Sequence, residues 1–134
     1  MSDSDNYKTP EWILDMFPDY FDPCPFNPTP EVDGLIIDWK EKNYVNPPYS
    51  NPLPWVLKGI QENKSGKIVV FLLKMDNSTK WYKELVNAGA HFMFPNERIK
   101  FNGQAPPWPC VLAILSKWSL TELNYLARQG GRWV

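Results

Sequence analysis

Cysteine is scarce in this chain. Cys24 and Cys110, the only two in 134 residues, are too few and too far apart in sequence for a disulfide scaffold or a zinc site, so reduced thiols are expected. Histidine is scarcer still. His91 is alone, falls beside Phe92 in an apolar stretch and has no evident co-ligands, so it reads as sheet-edge packing rather than as a base or metal ligand, and no metal is expected. No run of about 18 apolar residues exists, which excludes a helical membrane span. The opening Met1-Ser2-Asp3-Ser4-Asp5 is acidic and polar, unlike a secretory signal, so a soluble, cytoplasmic protein with no membrane partner is expected. A basic excess is missing too. The net charge of −1 offers no global argument for a nucleic-acid partner. Internal repeats are also absent.

What the chain does have is aromatic weight and proline. Seven Trp, seven Phe and six Tyr within a 43% apolar composition are enough for one compact core, so residues 1–134 are expected to form a single domain, with about 1–6 and 129–134 as flexible tails. Charge is unevenly spread: residues 1–42 carry −7 and residues 43–134 carry +6. An acidic segment suits a cationic small ligand such as a sulfonium, and a basic remainder suits a polyanion.

Thr9-Pro10-Glu11 ahead of Trp12, Ile13, Leu14, Met16 and Phe17 predicts a short helix capped by Thr9 and ended by Pro18. Four prolines between Phe21 and Pro30 forbid helix and central strand and predict a rigid, extended loop. Asp33-Gly34 predicts a turn. Leu35-Ile36-Ile37 fits either a short buried strand or a helical turn. Tyr44-Val45 is a strand stopped by Asn46-Pro47-Pro48-Tyr49, and Asn51-Pro52 opens a helix carrying Trp55, Val56, Leu57 and Ile60 up to about Gly66. Lys67 to Leu73 is the clearest strand, with the continuous apolar run of a sheet centre covered on both faces. Asp76-Asn77-Ser78 offers caps for a helix through Trp81, Leu85 and Val86, closed by Gly89. His91 to Phe94, Ile99 to Phe101 and Val111 to Leu115 read as later strands, with a last helix from Ser119 to Ala127. Alternating strands and helices predict a three-layer α/β sheet, largely parallel with an antiparallel edge.

The chemistry concentrates in Asn46-Pro47-Pro48-Tyr49. An exocyclic amine on an aromatic base is a poor nucleophile because its lone pair is delocalised into the ring. Two hydrogen-bond acceptors, the Asn46 side-chain carbonyl and the Pro47 main-chain carbonyl, would draw that lone pair out toward a methyl donor. Pro47 and Pro48 stiffen the backbone, and the flat ring of Tyr49 offers a face for a flipped base. Taken alone, the tetrapeptide also serves as an ordinary strand-ending turn.

In order along the chain, Tyr7-x-Thr9-Pro10, Phe21-Asp22-Pro23-Cys24-Pro25-x-Asn27, Asp33-Gly34-Leu35 with Trp39, and Asn46-Pro47-Pro48-Tyr49-Ser50 resemble the phage-type DNA N6-adenine methyltransferase family. Val69 to Leu73, Trp81, Arg98-Ile99-x-Phe101 and Val111 to Leu115 extend the likeness over most of residues 7–116. The resemblance implies a minimal Rossmann-like, S-adenosylmethionine-dependent enzyme acting on double-stranded DNA. It implies that Tyr7, Thr9, Pro10, Asp22, Pro23, Cys24 and Asp33 bind the cofactor, with Asp33 on the donor's adenine. Asn46, Pro47, Pro48 and Tyr49 would be catalytic. Ser50, Lys80 (with Lys83 nearby), Arg98 and Lys100 are the candidate DNA contacts. A domain this small has no obvious target-recognition segment, so a homodimer sharing the duplex is entertained.

The chain departs from many methyltransferases in having no Gly-x-Gly turn near Asp22, where missing side chains would let the backbone approach the cofactor. The stretch from Asp22 to Asp33 is also short, so a pared-down, open cofactor half is expected. Two other readings stay open on the residues alone. In one, the acceptor is another planar amine or amide, in RNA or a protein glutamine. In the other, the chain is a binding module without catalysis.

Overall fold

The computed structural model describes residues 8–25, 33–101, 106, 108–128 and 133. In chain order the elements are α1 (Glu11–Leu14), β1 (Lys42–Val45), α2 (Leu53–Lys64), β2 (Ile68–Lys74), α3 (Lys80–Asn87), β3 (His91–Met93), β4 (Cys110–Leu115) and α4 (Leu120–Arg128). The strands form one sheet in the order β1-β2-β4-β3.

Strand alternation divides the core. Along β2, Val70 and Leu72 face one side; along β4, Cys110, Leu112 and Ile114 do the same, packing with Ile13 and Phe17 beside α1 and Leu123 of α4. The opposite residues, Val69, Phe71 and Leu73 with Val111, Ala113 and Leu115, meet Val56 and Ile60 of α2 and Trp81 and Leu85 of α3. This two-sided cover explains the unbroken apolar runs of β2 and β4. Gly59 lets α2 settle onto the sheet, since a methyl there would lie 2.3 Å from the Phe71 ring.

Several sequence expectations need correction. The antiparallel strand is internal rather than at an edge: β4 runs antiparallel to both β2 and β3, and β1 with β2 is the one parallel pair among these strands. The cause is the connection. Helices α2 and α3 provide crossovers that keep β1, β2 and β3 aligned, whereas no helix among the described residues joins β3 to β4, so the chain turns back antiparallel. Ile99 and Phe101 are buried but belong to none of the named strands. Of the two readings left open for Leu35 to Ile37 the structure shows the turn, with the amides of Ile36 and Ile37 donating to the Asp33 carbonyl. Pro10, not Thr9, occupies the N-cap position of α1, with no side-chain cap bond, and Thr79, not Asp76 to Ser78, caps α3 by accepting from the Tyr82 amide. Other expectations hold. Gly89 follows α3 with φ of 80°, where a residue without Cβ is favoured. The last helix, expected from Ser119 to Ala127, runs Leu120–Arg128, with Ser119 and Glu122 bonded reciprocally at its start. His91 lies half-buried on the edge strand β3.

Candidate active site

Phe21 extends the sheet beyond β1 by a single parallel bridge to Asn43, its amide donating to Lys42 and its carbonyl accepting from Tyr44, each at 2.9 Å. Phe21, β1 and β2 therefore discharge their following loops at one end of the sheet. The pairings Lys74 with Cys110 and Met93 with Leu112 bring the start of β4 and the exit of β3 to the same end. Carboxyl ends of parallel strands are where open α/β sheets hold ligands.

At the tip of β1, Pro47 is buried, Asn46, Pro48 and Tyr49 are half-buried and Ser50 is exposed. The Asn51 amide donates to the Pro48 carbonyl at 3.2 Å, closing a tight turn at Tyr49 and Ser50. Asn46 Nδ2 donates to Thr9 Oγ1 at 3.1 Å, and the same hydroxyl lies 3.0 Å from the Tyr44 hydroxyl. An amide whose nitrogen faces Thr9 turns its oxygen the other way, which is the acceptor sense an incoming amine needs. Tyr44 is stacked on Phe17, and burial pushes its phenol well above the ordinary range, so it stays protonated.

The Tyr49 ring is held from two sides. Phe101 and Trp108 meet it edge-to-face, each with centroids 6.3 Å away, and its hydroxyl is buried near the Cys110 thiol. Lys74 Nζ lies 4.8 Å over the Trp108 ring. Beside Tyr49 a cavity of about 90 Å³ is bounded by Pro52, Leu73, Lys74, Asp76, Thr79 and Trp81. Lys80, the exposed residue after Thr79, is not among its walls.

The candidate cofactor loop follows Phe21. Asp22 Oδ1 accepts from the Cys24 amide at 2.9 Å, and burial raises the Asp22 carboxyl's pKa while that bond opposes the rise. Pro23 is buried. Asp33 is exposed and accepts from the Leu35 amide at 2.9 Å. The two loops touch at Gly34: a Cβ there would stand 1.9 Å from the Pro23 carbonyl oxygen and 2.8 Å from the Trp55 ring. Trp39 Nε1 donates to the Gly34 carbonyl at 2.7 Å, fixing the second loop over the first. Tyr7 and Asn27 lie outside the described residues.

Neither thiol is a nucleophile at neutral pH. Burial, reinforced by the charge of Asp22, pushes Cys24 up to about 12; burial also pushes Cys110 up to about 12 against the opposing Tyr49 hydroxyl and Arg98 charge. The folded state thus holds these protons when the unfolded chain has lost them. Their contribution to stability is complete below about pH 9 and fades as pH rises toward 12. Thermal melts are expected to show a falling midpoint above about pH 9, and native alkylation by iodoacetamide at pH 9 should be about 100-fold slower than in urea; equal rates would contradict the burial of both thiols.

Arg98 and Lys100 lie together. With Pro10, Trp12, Pro95, Glu97 and Ile99 they line a cavity of about 380 Å³, and the Trp12 ring also meets Trp133 at 5.5 Å. Through Pro10, this cavity adjoins Thr9 and hence Asn46.

Comparison with known proteins decides the lineage. The family model for DNA N-6-adenine-methyltransferase (Dam) matches residues 1–111. The DNA N-6-adenine-methyltransferase of Haemophilus phage HP1 (strain HP1c1) is 38% identical over 117 residues, covering 75% of this chain and 68% of that protein. The chain belongs to the DNA N-6-adenine-methyltransferase family. No solved structure matches it.

Within this family member, the described residues hold no group of three or more His, Cys, Asp or Glu able to bind a metal ion, and no helix long and apolar enough to cross a membrane. Sequence reasoning overlooked Tyr44, Trp12, Lys74 and Trp108 as parts of the site. Only Tyr44 carried a usable signal: two residues before Asn46 on a strand, it must share that residue's face.

Proposed function

We propose that this member of the DNA N-6-adenine-methyltransferase family transfers a methyl group directly from S-adenosylmethionine to adenine N6 in double-stranded DNA, with no covalent intermediate. The observation that carries the reading is the Asn46 amide at the end of β1, whose nitrogen is committed to Thr9 so that its oxygen, a buried acceptor, is the end turned away from that residue.

The mixed α/β sheet with helices packed against both faces is read here as a minimal Rossmann-like, three-layer fold, and residues 1–134 as one methyltransferase domain. The residues near Phe21 fit the cofactor chemically. Asp22 and Asp33 offer carboxylates to a cation, and Gly34 lets the two loops that carry them pack together. Pro23, Cys24, Pro10 and Tyr7 belong to the same proposed cofactor half. S-adenosylmethionine, when bound, supplies an electrophilic methyl group. Asn46 Oδ1 and the Pro47 carbonyl each accept one amine hydrogen, which favours a tetrahedral nitrogen with its lone pair aimed at the donor. Pro48 holds the turn. Tyr49, steadied by Phe101 and Trp108, stacks on the flipped base.

Arg98 and Lys100 offer two cations to DNA phosphates, and Trp12 a stacking wall in the same cavity. Ser50 and Lys80 are further proposed contacts on the exposed rim. A second copy of the chain sharing the duplex, in the cytoplasm, completes the proposal. Arg98→Ala and Lys100→Ala should each weaken DNA binding about evenly across sequences and reduce the salt slope by about 1; anisotropy titrations over a salt series with unchanged slopes would remove them from the interface.

The acceptor is tested by offering a tritium-labelled methyl donor to duplex DNA, single-stranded DNA, RNA and protein in parallel. Label is expected in DNA, most in the duplex. Label confined to RNA or protein would transfer the chemistry to another acceptor, and none anywhere would leave a binding module.

A further inference from the structure

Thr9 was expected, from family resemblance, to lie over the cofactor. In the structure Thr9 is 7% exposed and its hydroxyl is engaged in the protein's own hydrogen bonds. Tyr44 and Asn46 are two residues apart where β1 ends, so both project to the same face, about 7 Å apart along an extended backbone. The Thr9 hydroxyl sits between them, accepting from Asn46 Nδ2 at 3.1 Å and sharing a proton with the Tyr44 hydroxyl at 3.0 Å.

We propose that Thr9 is a positioning residue for Asn46, with Tyr44 as its anchor, and that this pair selects the orientation of the Asn46 amide. A hydroxyl has one hydrogen and two lone pairs, so it can accept from the amide while donating to or accepting from the phenol. Tyr44 does not move: it is 2% exposed, built into the sheet and stacked on Phe17. The reverse amide orientation would set an NH2 group against the substrate's own amine, donor to donor, and would forfeit the acceptor that draws out the lone pair. This inference rests on the methyl-transfer reading of Asn46. It makes Thr9 part of the acceptor side of the site.

Thr9→Val keeps the shape and removes the hydroxyl. Its kcat should fall about 10- to 100-fold, the scale of a misaligned reacting group, with KM for DNA and calorimetric affinity for S-adenosylmethionine within about twofold of the parent. Thr9→Ser should restore most of the rate. Tyr44→Phe preserves the ring packing and should give a smaller loss in the same parameter, which keeps the test intact if Thr9→Val folds poorly. A Thr9→Val enzyme with unchanged kcat would overturn the inference, and so would one whose loss lies in cofactor affinity. An activity-independent readout separates this from failure of the methyltransferase reading. In the folded protein, one Asn46 side-chain amide proton should exchange slowly in 15N-edited spectra and lose that protection in Thr9→Val. Equal exchange in both would overturn the positioning role even if the parent proves inactive.

Discussion

Asn46→Ala is expected to lower methyl transfer to DNA by about 10²- to 10³-fold, the cost typical of deleting one preorganised polar group at a centre of developing charge. The loss should fall in kcat. Asn46 is half-buried at the tip of β1 and caps no element, so the melting temperature should change little, and the proposed cofactor contacts at Asp22 and Asp33 leave calorimetric affinity for S-adenosylmethionine untouched. Asn46→Asp sharpens the test. A carboxylate keeps the acceptor, and the Thr9 hydroxyl can donate to it where it formerly accepted, so this variant should retain much more activity than alanine. Equal activity in Asn46→Ala and the parent would remove Asn46 from the chemistry.

Gly34→Ala should be nearly as damaging, for an unrelated reason. The added methyl would stand 1.9 Å from the Pro23 carbonyl oxygen and 2.8 Å from its carbon, and neither is the movable end of a side chain. Relief requires separating the Asp22 to Cys24 loop from the Asp33 turn, which also strains the 2.7 Å bond from Trp39 to the Gly34 carbonyl. Overpacking of this kind costs about 3 kcal/mol, or roughly 10 °C in melting temperature for a chain of this size. Affinity for S-adenosylmethionine should fall further than affinity for DNA, because the disturbed loops belong to the proposed cofactor half. Unchanged melting and unchanged cofactor affinity would show that the two loops do not depend on this contact.

Those two positions illustrate what the sequence could and could not reveal. Asn46 was legible because the proposed reaction dictates its chemistry: an acceptor, two stiff prolines and a planar ring at the end of an apolar strand. The β2 strand and the α2 and α3 helices were legible from apolar period, and Gly89 from its place after a helical stretch. Gly34 was visible only as a turn residue. That its missing side chain lets two loops meet depends on Pro23 and Trp55 lying against it, a non-local fact. The internal position of β4 was hidden similarly, since an apolar run does not state its partners, and Thr9 looked like a helix cap because Pro10 follows it. In each case the local pattern was sound, and a contact across 11 residues or more decided its use.

The most direct test is to incubate duplex DNA with the protein and S-adenosylmethionine carrying a CD3 group, digest the product to nucleosides and locate the label by mass spectrometry. Deuterated N6-methyldeoxyadenosine is expected, and it should drop about 10²-fold or more with Asn46→Ala. Label in N4-methylcytosine or 5-methylcytosine, or equal labelling by the Asn46→Ala protein, would contradict the assignment of Asn46 and Tyr49 to the adenine amine.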